Sequence, residues 1–219
     1  MKMKKFAIIL SGCGVFDGAE IHEATLTMLA IKKQGAEYEI FAPDKPQHHV
    51  INHLTGQPTD EQRNVLVEAA RIARGNIKDL KQFNAREVDA LIMPGGFGVA
   101  KNLSTWAFDG PEGTVDAEVS KAIRDMISLR KPVGALCISP VLLAQVLGKV
   151  EITIGNDKDT IEALEKKGAI HKQTTHGEVI RDSHLPVFTT PCYMLDASIL
   201  QIAEGADNIV KAMLAEMKN

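Results

Sequence analysis

Cysteine is scarce in this chain of 219 residues, and its three cysteines stand far apart, at positions 13, 137 and 192. Such spacing makes no disulfide framework of the kind that stabilises small secreted proteins. The chain is also long enough to bury a sizeable hydrophobic core without covalent cross-links. We therefore expect a protein of a reducing compartment, the cytoplasm.

Long apolar runs and a strong charge imbalance are missing as well. No stretch approaches the ~20 apolar residues of a membrane-spanning helix. A net charge of −3 gives no electrostatic reason to expect nucleic acid or an acidic membrane as a partner. The opening MKMKKFAIIL resembles a signal peptide, but its apolar part is only about five residues long and SGCG follows, so a first core strand is the better interpretation.

The composition is otherwise that of an ordinary globular protein, with 45% apolar and 24% charged residues. The sequence contains no internal repeat, low-complexity tract or linker. We therefore expect one domain over residues 1–219.

Short apolar runs alternate with amphipathic segments along the chain. The runs predict strands at 6–10, 37–42, 88–93, 133–136 and 152–154, and a hairpin of 178–180 with 187–190. The amphipathic segments predict helices at 19–34, 116–129, 140–147, 159–167 and 194–217, the last interrupted near Gly205. Residues 64–80 fit either a strand or a helix. The polar stretch 44–60 is long for a connection, which predicts an ordered insertion with a role.

This alternation indicates an α/β fold, with a mostly parallel central sheet, helices on both faces and a small hairpin. Ligands of such sheets bind beyond the carboxyl ends of the strands. Three predicted strands end in segments suited to chemistry, namely SGCG at 11–14, PGGFG at 94–98 and CISP at 137–140. We expect these loops to share one rim of the sheet, with Cys13, Gly14 and Asn102 as possible pocket residues.

Cys137 is the strongest candidate for chemistry. A cysteine at a sharp strand-to-helix turn projects from the rim beside the backbone N–H of the next residue, as a nucleophile does. The other interpretation is a small buried core residue, and the pattern alone does not decide between them. Gly95 and Gly96 favour the nucleophile because glycines let backbone N–H groups approach a ligand as an oxyanion hole. Glu23, early in the first helix, could serve there as an acid or base.

Two histidine motifs are weaker candidates. His49 and His53 stand four apart, as metal ligands on a helix would, but the local sequence does not support a helix and no third ligand is evident. His176 and Glu178 imitate the histidine and glutamate of a glutaminase, but they fall in a predicted strand or its approach. We expect no metal site.

The first rim loop holds two further weak motifs. Gly12, Gly14 and Gly18 have the wrong spacing for a dinucleotide fingerprint, and no fitting acid ends the next strand. Cys13 could approach Cys137, although a cysteine without a role is the better interpretation. We expect no cofactor.

Together, the segments ILSGCGVFDGAEIHEA, FAPDK, VINHLTG, ARIARG, DALIMPGGFGVAKNLS and TTPCYML resemble the ElbB group of the ThiJ/PfpI superfamily, also labelled enhancing lycopene biosynthesis, isoprenoid biosynthesis or sigma cross-reacting protein. The resemblance implies the flavodoxin-like, three-layer sandwich of the class I glutamine amidotransferase-like fold, and a homodimer. It also implies that Cys137 is the nucleophile, with Glu23 in contact with its thiol. Gly96 and Ile138, with Gly95 beside them, match the backbone donors of the oxyanion site.

Several members of that superfamily are glutathione-independent glyoxalases. The resemblance therefore implies a cofactor-free conversion of small α-oxoaldehydes, such as glyoxal and methylglyoxal, to hydroxy acids. Ile138 replaces the histidine of protease-like members and Gly155 stands where glyoxalase-type members carry one, so we expect slow turnover and no peptidase or glutaminase activity. The alternative is a non-enzymatic, redox-responsive or partner-binding protein that supports isoprenoid or stress metabolism.

The position of Cys137 also leads to an expectation about its protonation. A helix N-terminus and surrounding N–H groups stabilise a thiolate, which predicts a thiol pKa below the ordinary ~8.5. Glu23 would then keep its proton while the cysteine is ionised, because two anions cannot share a small cleft at low cost.

Overall fold

The computed structural model describes residues 3–217. Within these residues the strands are, in chain order, β1 (Lys5–Ile9), β2 (Glu37–Ala42), β3 (Ile51–Asn52), β4 (Gln57–Pro58), β5 (Lys78–Asp79), β6 (Ala90–Met93), β7 (Val133–Leu136), β8 (Glu151–Ile152), β9 (Ile170–His171), β10 (Ile180–Arg181) and β11 (Val187–Thr190). The helices are α1 (Ile21–Lys33), α2 (Val65–Ile72), α3 (Phe97–Lys101), α4 (Trp106–Asp109), α5 (Ala117–Ser128), α6 (Pro140–Leu147), α7 (Lys158–Lys166) and α8 (Ile199–Glu216). No helix of the described part combines the length and apolar character that crossing a bilayer requires.

Seven strands form the central sheet, in the order β10-β11-β7-β6-β1-β2-β5. Neighbours within it are parallel except β10, which pairs antiparallel with β11 as the predicted hairpin. This arrangement confirms the predicted α/β fold with a mostly parallel sheet. Since β7, β6 and β1 are adjacent and parallel, their carboxyl ends meet on one rim, which confirms the expected gathering of the three loops.

The two faces of the sheet are covered by different helices, because successive side chains of a strand point to opposite faces. Phe6 and Ile8 of β1 belong to a core that includes buried residues of α1, α2 and α8. Ala7 and Ile9 belong to a second core, formed with α5 and α6. The result is the three-layer sandwich that the resemblance implied.

The bounds of three predicted elements agree fully with the structure. Strands Glu37–Ala42 and Val133–Leu136 and helix Pro140–Leu147 match the prediction residue for residue. Most other bounds shift by one or two residues, because the sequence pattern does not show which end residues pair or form caps. The strand predicted at 152–154 is placed wrongly. The structure instead has a two-residue strand at Glu151–Ile152, which pairs with β9 in a separate two-stranded sheet.

The predicted helix 194–217 is wrong in two respects. The chain first makes a 3₁₀ turn at Cys192–Met194, and α8 begins only at Ile199, where Ser198 forms a capping box with Gln201. Gly205 does not interrupt α8. A Cβ at Gly205 would lie 3.4 Å from both the Cys192 Sγ and the Thr190 Oγ1, which is ordinary van der Waals contact, so α8 passes this position without strain.

The ambiguous segment 64–80 contains both kinds of element. Its first part is the helix α2, with Asn64 as N-cap because the Asn64 side chain accepts the backbone N–H of Val67. Its end is the edge strand β5. The polar stretch 44–60 carries the β3–β4 hairpin, so it is the ordered insertion that its length predicted.

Asn102 fastens this insertion to the first rim loop. Its Nδ2 donates to the carbonyl oxygens of Ser11 and Asp17, each at 2.9 Å, and its Oδ1 accepts the backbone N–H of His48 at 2.9 Å. Asn102 is only 3% exposed, so water cannot easily replace these bonds. Asn102 therefore has a structural role, because its hydrogen bonds hold the insertion against the first rim loop.

Replacing Asn102 by alanine should therefore lower the free energy of unfolding by about 2–4 kcal/mol, since it leaves buried polar groups without partners. Urea denaturation of the wild type and the variant measures this difference. Asn84→Ala is the control, because Asn84 is exposed and its side chain contacts only nearby residues. Equal losses in the two variants would contradict this structural role of Asn102.

Candidate active site

Cys137 stands at a strained turn between β7 and α6. Its φ of 58° lies in the left-handed region, which is unusual for a residue with a side chain and costs about 1–3 kcal/mol. The surrounding backbone maintains it, because the Cys137 N–H donates to the carbonyl of Thr190 at 3.0 Å. In addition, the Ser139 hydroxyl donates to the carbonyl of Pro94 at 2.7 Å. The geometry is that of a nucleophile elbow.

Backbone donors surround the sulfur of Cys137. The backbone N–H groups of Gly96 and Ile138 lie close enough to the thiol group to lower its pKa. Gly96 has a φ of 99°, and a Cβ there would lie 2.4 Å from both the Glu20 nitrogen and the Gly18 oxygen. Only glycine therefore fits this position, and the close approach aims the Gly96 N–H at the sulfur.

Glu23 lies on the other side of the same sulfur and is fully buried. Its carboxyl group lies beside the Cys137 thiol, since a Cβ at Gly95 would meet Glu23 Oε2 at 2.8 Å and Cys137 Sγ at 2.9 Å, and each group influences the pKa of the other. Its Oε2 accepts the Gly95 N–H at 2.8 Å and its Oε1 accepts the Tyr193 N–H at 3.3 Å. Glu20, the N-cap residue of α1, accepts the backbone N–H of Glu23 at 2.7 Å.

Burial raises the pKa of Glu23 to about 7, and the neighbouring charge of Glu20 adds to this effect. Hydrogen bonds from Gly95, Tyr193 and the Cys137 thiol oppose the rise but do not cancel it. A carboxyl group with a pKa near neutrality can take and return a proton at physiological pH. Glu23 is thus suited to acid–base chemistry.

Burial also raises the pKa of Cys137 well above its ordinary value, and the charge of Glu23 raises it further. The N–H groups of Gly96 and Ile138 lower it, but by less. The expectation of a thiol pKa below ~8.5 is therefore wrong for the free protein. The sequence shows the helix terminus but not the depth of burial, and desolvation dominates. Ionisation of the thiol needs a local base, and Glu23 is in contact with it.

A cavity of about 380 Å³ opens above Cys137. Its walls are mostly apolar, with two acidic and two hydroxyl side chains among them, and the lining residues are Val15, Glu20, Gly96, Phe97, Cys137, Ile138, Asp157, Thr160, Tyr193 and Met194. This volume suits a small organic ligand that reaches the sulfur at the floor.

The structure brings together five of the residues that the sequence singled out. Cys137, Glu23, Gly95, Gly96 and Ile138 meet at the rim, within hydrogen-bonding contact of the thiol or of the Glu23 carboxyl group. The remaining three candidates, Cys13, Gly14 and Asn102, are not among the residues that line the cavity.

Cys13 and Gly14 lie on the outer side of the first rim loop. Burial and the charge of Glu68 raise the pKa of the Cys13 thiol. A Cβ at Gly14 would lie 2.7 Å from the Nε2 of His53, so the loop packs against the insertion at this point. Their position next to the insertion, and not above β7, explains why neither belongs to the cavity.

The histidine motifs serve local structure. His53 accepts the Phe16 N–H and His49 stacks edge-on against His48. His176 contacts the carbonyl of Asp196, while Glu178 is exposed and accepts from Thr175. Over the described residues 3–217, no group of three or more His, Cys, Asp or Glu side chains is placed to hold a metal ion.

Sequence reasoning missed the outer wall of the cavity. Asp157 and Thr160 come from the start of α7, and Tyr193 and Met194 come from the 3₁₀ turn after β11. Asp157 is the N-cap of α7, where its side chain accepts the N–H of Thr160. An aspartate just before a helical pattern is the sequence signal that could have indicated this cap. Nothing in the pattern showed that α7 reaches the rim.

Gly95 must lack a side chain for the site to exist. A Cβ there would lie 2.5 Å from the Cys137 Cβ and 2.8 Å from the Glu23 Oε2. Gly95→Ala should lower the free energy of unfolding by about 1–3 kcal/mol, since both groups must move. Urea denaturation checks this, with Gly205→Ala as control, where the added Cβ meets ordinary contacts at 3.4 Å. A Gly95→Ala protein as stable as the control would contradict this geometry.

The raised pKa of Glu23 predicts a pH-dependent stability. The folded state, with a pKa of about 7, binds the proton more tightly than the unfolded state at 4.5, so this contribution to stability is lost as the pH rises from about 4.5 to 7. Relative to wild type, Glu23→Gln should therefore gain about 3 kcal/mol across that interval and nothing further above it. Denaturation at several pH values measures the difference, with exposed Glu162→Gln as control. A constant difference would show that Glu23 titrates normally.

No protein-family model matches the chain. Human glutamine amidotransferase-like class 1 domain-containing protein 3, mitochondrial, is 45% identical over 220 residues, which cover 96% of this chain and 82% of that protein. The rat ES1 protein homolog, mitochondrial, is 45% identical over 222 residues, which cover 96% and 83%. Since both relatives are mitochondrial by name, the cytoplasmic localisation stays a prediction.

Comparison with solved structures supports the α/β fold of the chain. An isoprenoid biosynthesis protein with an amidotransferase-like domain from Ehrlichia chaffeensis superposes with a TM-score of 0.91 at 36% identity, covering 97% of this chain and 99% of that one. Glyoxalase III from Candida albicans superposes with a TM-score of 0.62 at 14% identity, covering 98% and 97%, which shows a shared fold alone. The extent and identity of these matches show that the chain belongs to the family of glutamine amidotransferase-like class 1 domain proteins, whose fold is ThiJ/PfpI-like.

Proposed function

We propose that the protein is an ElbB-type, cofactor-free glyoxalase that converts small α-oxoaldehydes to hydroxy acids. The observation that carries this proposal is the contact of the Cys137 thiol with the buried carboxyl group of Glu23 at the floor of a small, mostly apolar cavity. A nucleophile, a base with a pKa near 7 and two backbone donors suffice for a reaction in which only protons and a carbonyl carbon move.

The first step with methylglyoxal joins the sulfur to the aldehyde carbon. Glu23 takes the thiol proton, the sulfur adds to that carbon, and the carbonyl electron pair moves onto oxygen. The N–H groups of Gly96 and Ile138, which lie near the sulfur and lower its pKa, are the donors that would stabilise this oxyanion. Return of the proton to the oxygen gives a neutral hemithioacetal.

The second step moves hydrogen between the two carbons. Glu23 removes the hydrogen of the former aldehyde carbon as a proton and delivers a proton to the neighbouring carbon, while the hydroxyl proton of the first carbon passes to the oxygen of the second. The product is a thioester of Cys137 with lactic acid. Water then cleaves this thioester and restores the thiol, so that one methylglyoxal and one water give one lactic acid.

Slow turnover is part of the proposal. Gly155, which by the resemblance stands where glyoxalase-type proteins carry a histidine, has a φ of 82°, a conformation that residues with a side chain rarely adopt, and a Cβ there would press on the end of the Leu195 side chain at 2.9 Å. Among the described residues that line the cavity there is no histidine. A missing acid–base group lowers a rate by roughly 10²–10⁴-fold.

The redox-responsive alternative requires a thiol that ionises easily and meets oxidants. Cys137 is only 7% exposed, and burial raises its pKa, which favours a thiol activated by Glu23 over a freely oxidised one. Intact-mass measurement after mild peroxide discriminates the two functions. Selective oxygen addition at Cys137 without any lactate formation would support the alternative. The homodimer implied by the resemblance stays a prediction.

Lactate formation from methylglyoxal tests the proposal. Cys137→Ser and Glu23→Gln should each lose at least about 10²-fold in rate. In the wild type the rate should rise with pH and level off above about pH 7, because only ionised Glu23 can accept the thiol proton. Cys13→Ser is the matched control, since Cys13 does not line the cavity, and it should keep the wild-type rate. Equal rates in all four proteins, or ammonia release from glutamine, would overturn the proposal.

A further inference from the structure

The charged groups of the cavity wall are all of one sign. Glu20 and Asp157 contribute carboxyl groups, while no lysine or arginine of residues 3–217 lines the cavity. The other polar contributions are the side chains of Thr160 and Tyr193, and the Tyr193 hydroxyl is bonded to the His22 ring at 2.8 Å. A ligand that approaches Cys137 therefore meets negative charge without a compensating cation in the wall.

The two acids differ in position. Glu20 is 8% exposed, and its carboxyl group is engaged by the backbone N–H of Glu23. Asp157 is exposed at the outer end, where it caps α7 and accepts the Thr160 N–H at 2.9 Å. Hydrogen bonds from Thr160 lower the pKa of Asp157, so it is ionised at neutral pH. Asp157 is therefore the charged group that a molecule arriving from solution meets first.

We propose that Asp157 is a specificity-determining residue, which selects uncharged or cationic electrophiles for Cys137 and disfavours anionic ones. It stands in the wall of the same cavity whose floor is the sulfur, so its field acts on any ligand that reaches the thiol. At the separations possible within so small a cavity, one elementary charge changes the local concentration of an anion by roughly three- to tenfold.

Lys101 is a cation near the cavity, but it is not one of the residues that line it. Its ammonium group lies over the Phe97 ring, 5.3 Å from the centroid, and donates to the carbonyl of Phe16. Phe97 lines the cavity, whereas Lys101 does not. A ligand in the cavity therefore contacts the Phe97 ring and not this ammonium group.

This inference deepens the proposed function and rests on it only in its consequence for the substrate. α-Oxoaldehydes are uncharged and their hydroxy-acid products are anions. The negative charge of Asp157 therefore does not repel the substrate, and it favours release of the product. α-Oxo acids, which already carry a carboxylate, should be excluded. The inference itself concerns access to the sulfur and does not depend on turnover.

Alkylation of Cys137 by two reagents of nearly equal size tests the inference. Iodoacetamide is neutral and iodoacetate is anionic, and both modify a thiolate. The rate of each is measured at pH 8.5 and low ionic strength by mass spectrometry of the peptide that contains Cys137. The ratio of the two rates is compared with the ratio for 2-mercaptoethanol, a neutral free thiol. Because both reagents meet the same thiolate fraction, the raised thiol pKa cancels from the ratio.

Two variants complete the design. Asp157→Asn removes the charge but keeps a good N-cap for α7. Asp159→Asn is the matched control, because Asp159 is exposed on the same helix and changes the net charge equally, yet does not line the cavity. In the wild type, Cys137 should prefer iodoacetamide roughly three- to tenfold more strongly than the free thiol does. Asp157→Asn should clearly reduce this excess, leaving the part that Glu20 and Glu23 cause, and Asp159→Asn should preserve it in full.

Several results would overturn the inference. They are a wild-type ratio equal to that of the free thiol, an unchanged ratio in Asp157→Asn, and an equal change in both variants, which would indicate net charge alone. Failure of both reagents to modify Cys137 would also overturn it, because the cavity would then not lead to the sulfur. A charge preference without lactate formation would refute the proposed glyoxalase activity and leave this inference intact, while lactate formation without a charge preference would do the reverse.

Discussion

The buried contact between the Cys137 thiol and the Glu23 carboxyl group is the constraint on which the rest of the rim depends. Two acidic groups placed together away from water oppose each other's ionisation, so at neutral pH the pair retains a proton that either can carry. The surroundings are arranged to tolerate this contact. Gly95 leaves it the necessary space, and backbone N–H groups on both sides satisfy the carboxyl oxygens and the sulfur.

The same constraint links elements that are distant in sequence. Glu23 comes from α1, Cys137 from the end of β7, and the donor Tyr193 from the turn after β11. Each position is determined by the central sheet, which brings the carboxyl ends of adjacent parallel strands to one rim. The outer wall, with Asp157, then adds a negative charge to the mostly apolar cavity. In the proposed function, proton transfer at Glu23 and ligand selection at Asp157 thus fall on different parts of the scaffold.

The sequence by itself determined the features that arise from local chemistry. The apolar run of β7 and the Pro43 that closes β2 located these strands to the residue, and the alternation of strands with helices was sufficient for the α/β class. The glycine pair after β6 and the cysteine before Pro140 identified two loops of the site, because tight turns and close backbone approach restrict which residues can occupy them. The rule that ligands bind at the carboxyl ends of parallel strands was enough to place these loops together.

Only the tertiary structure decided the features that depend on burial and on long-range placement. The expected low pKa of Cys137 became a raised one, because desolvation by the packed rim and the charge of Glu23 outweigh the backbone donors. Gly205 continued α8 because the buried face of the helix, with Ile202, Ala206 and Ile209, packs against the sheet on both sides of this glycine. Asp157 lines the cavity because folding brings the start of α7 to the rim, and the amphipathic pattern of α7 does not show this placement. Sequence patterns report the neighbours of a residue along the chain, whereas the pKa of a group and the walls of a cavity depend on the neighbours that folding supplies in space.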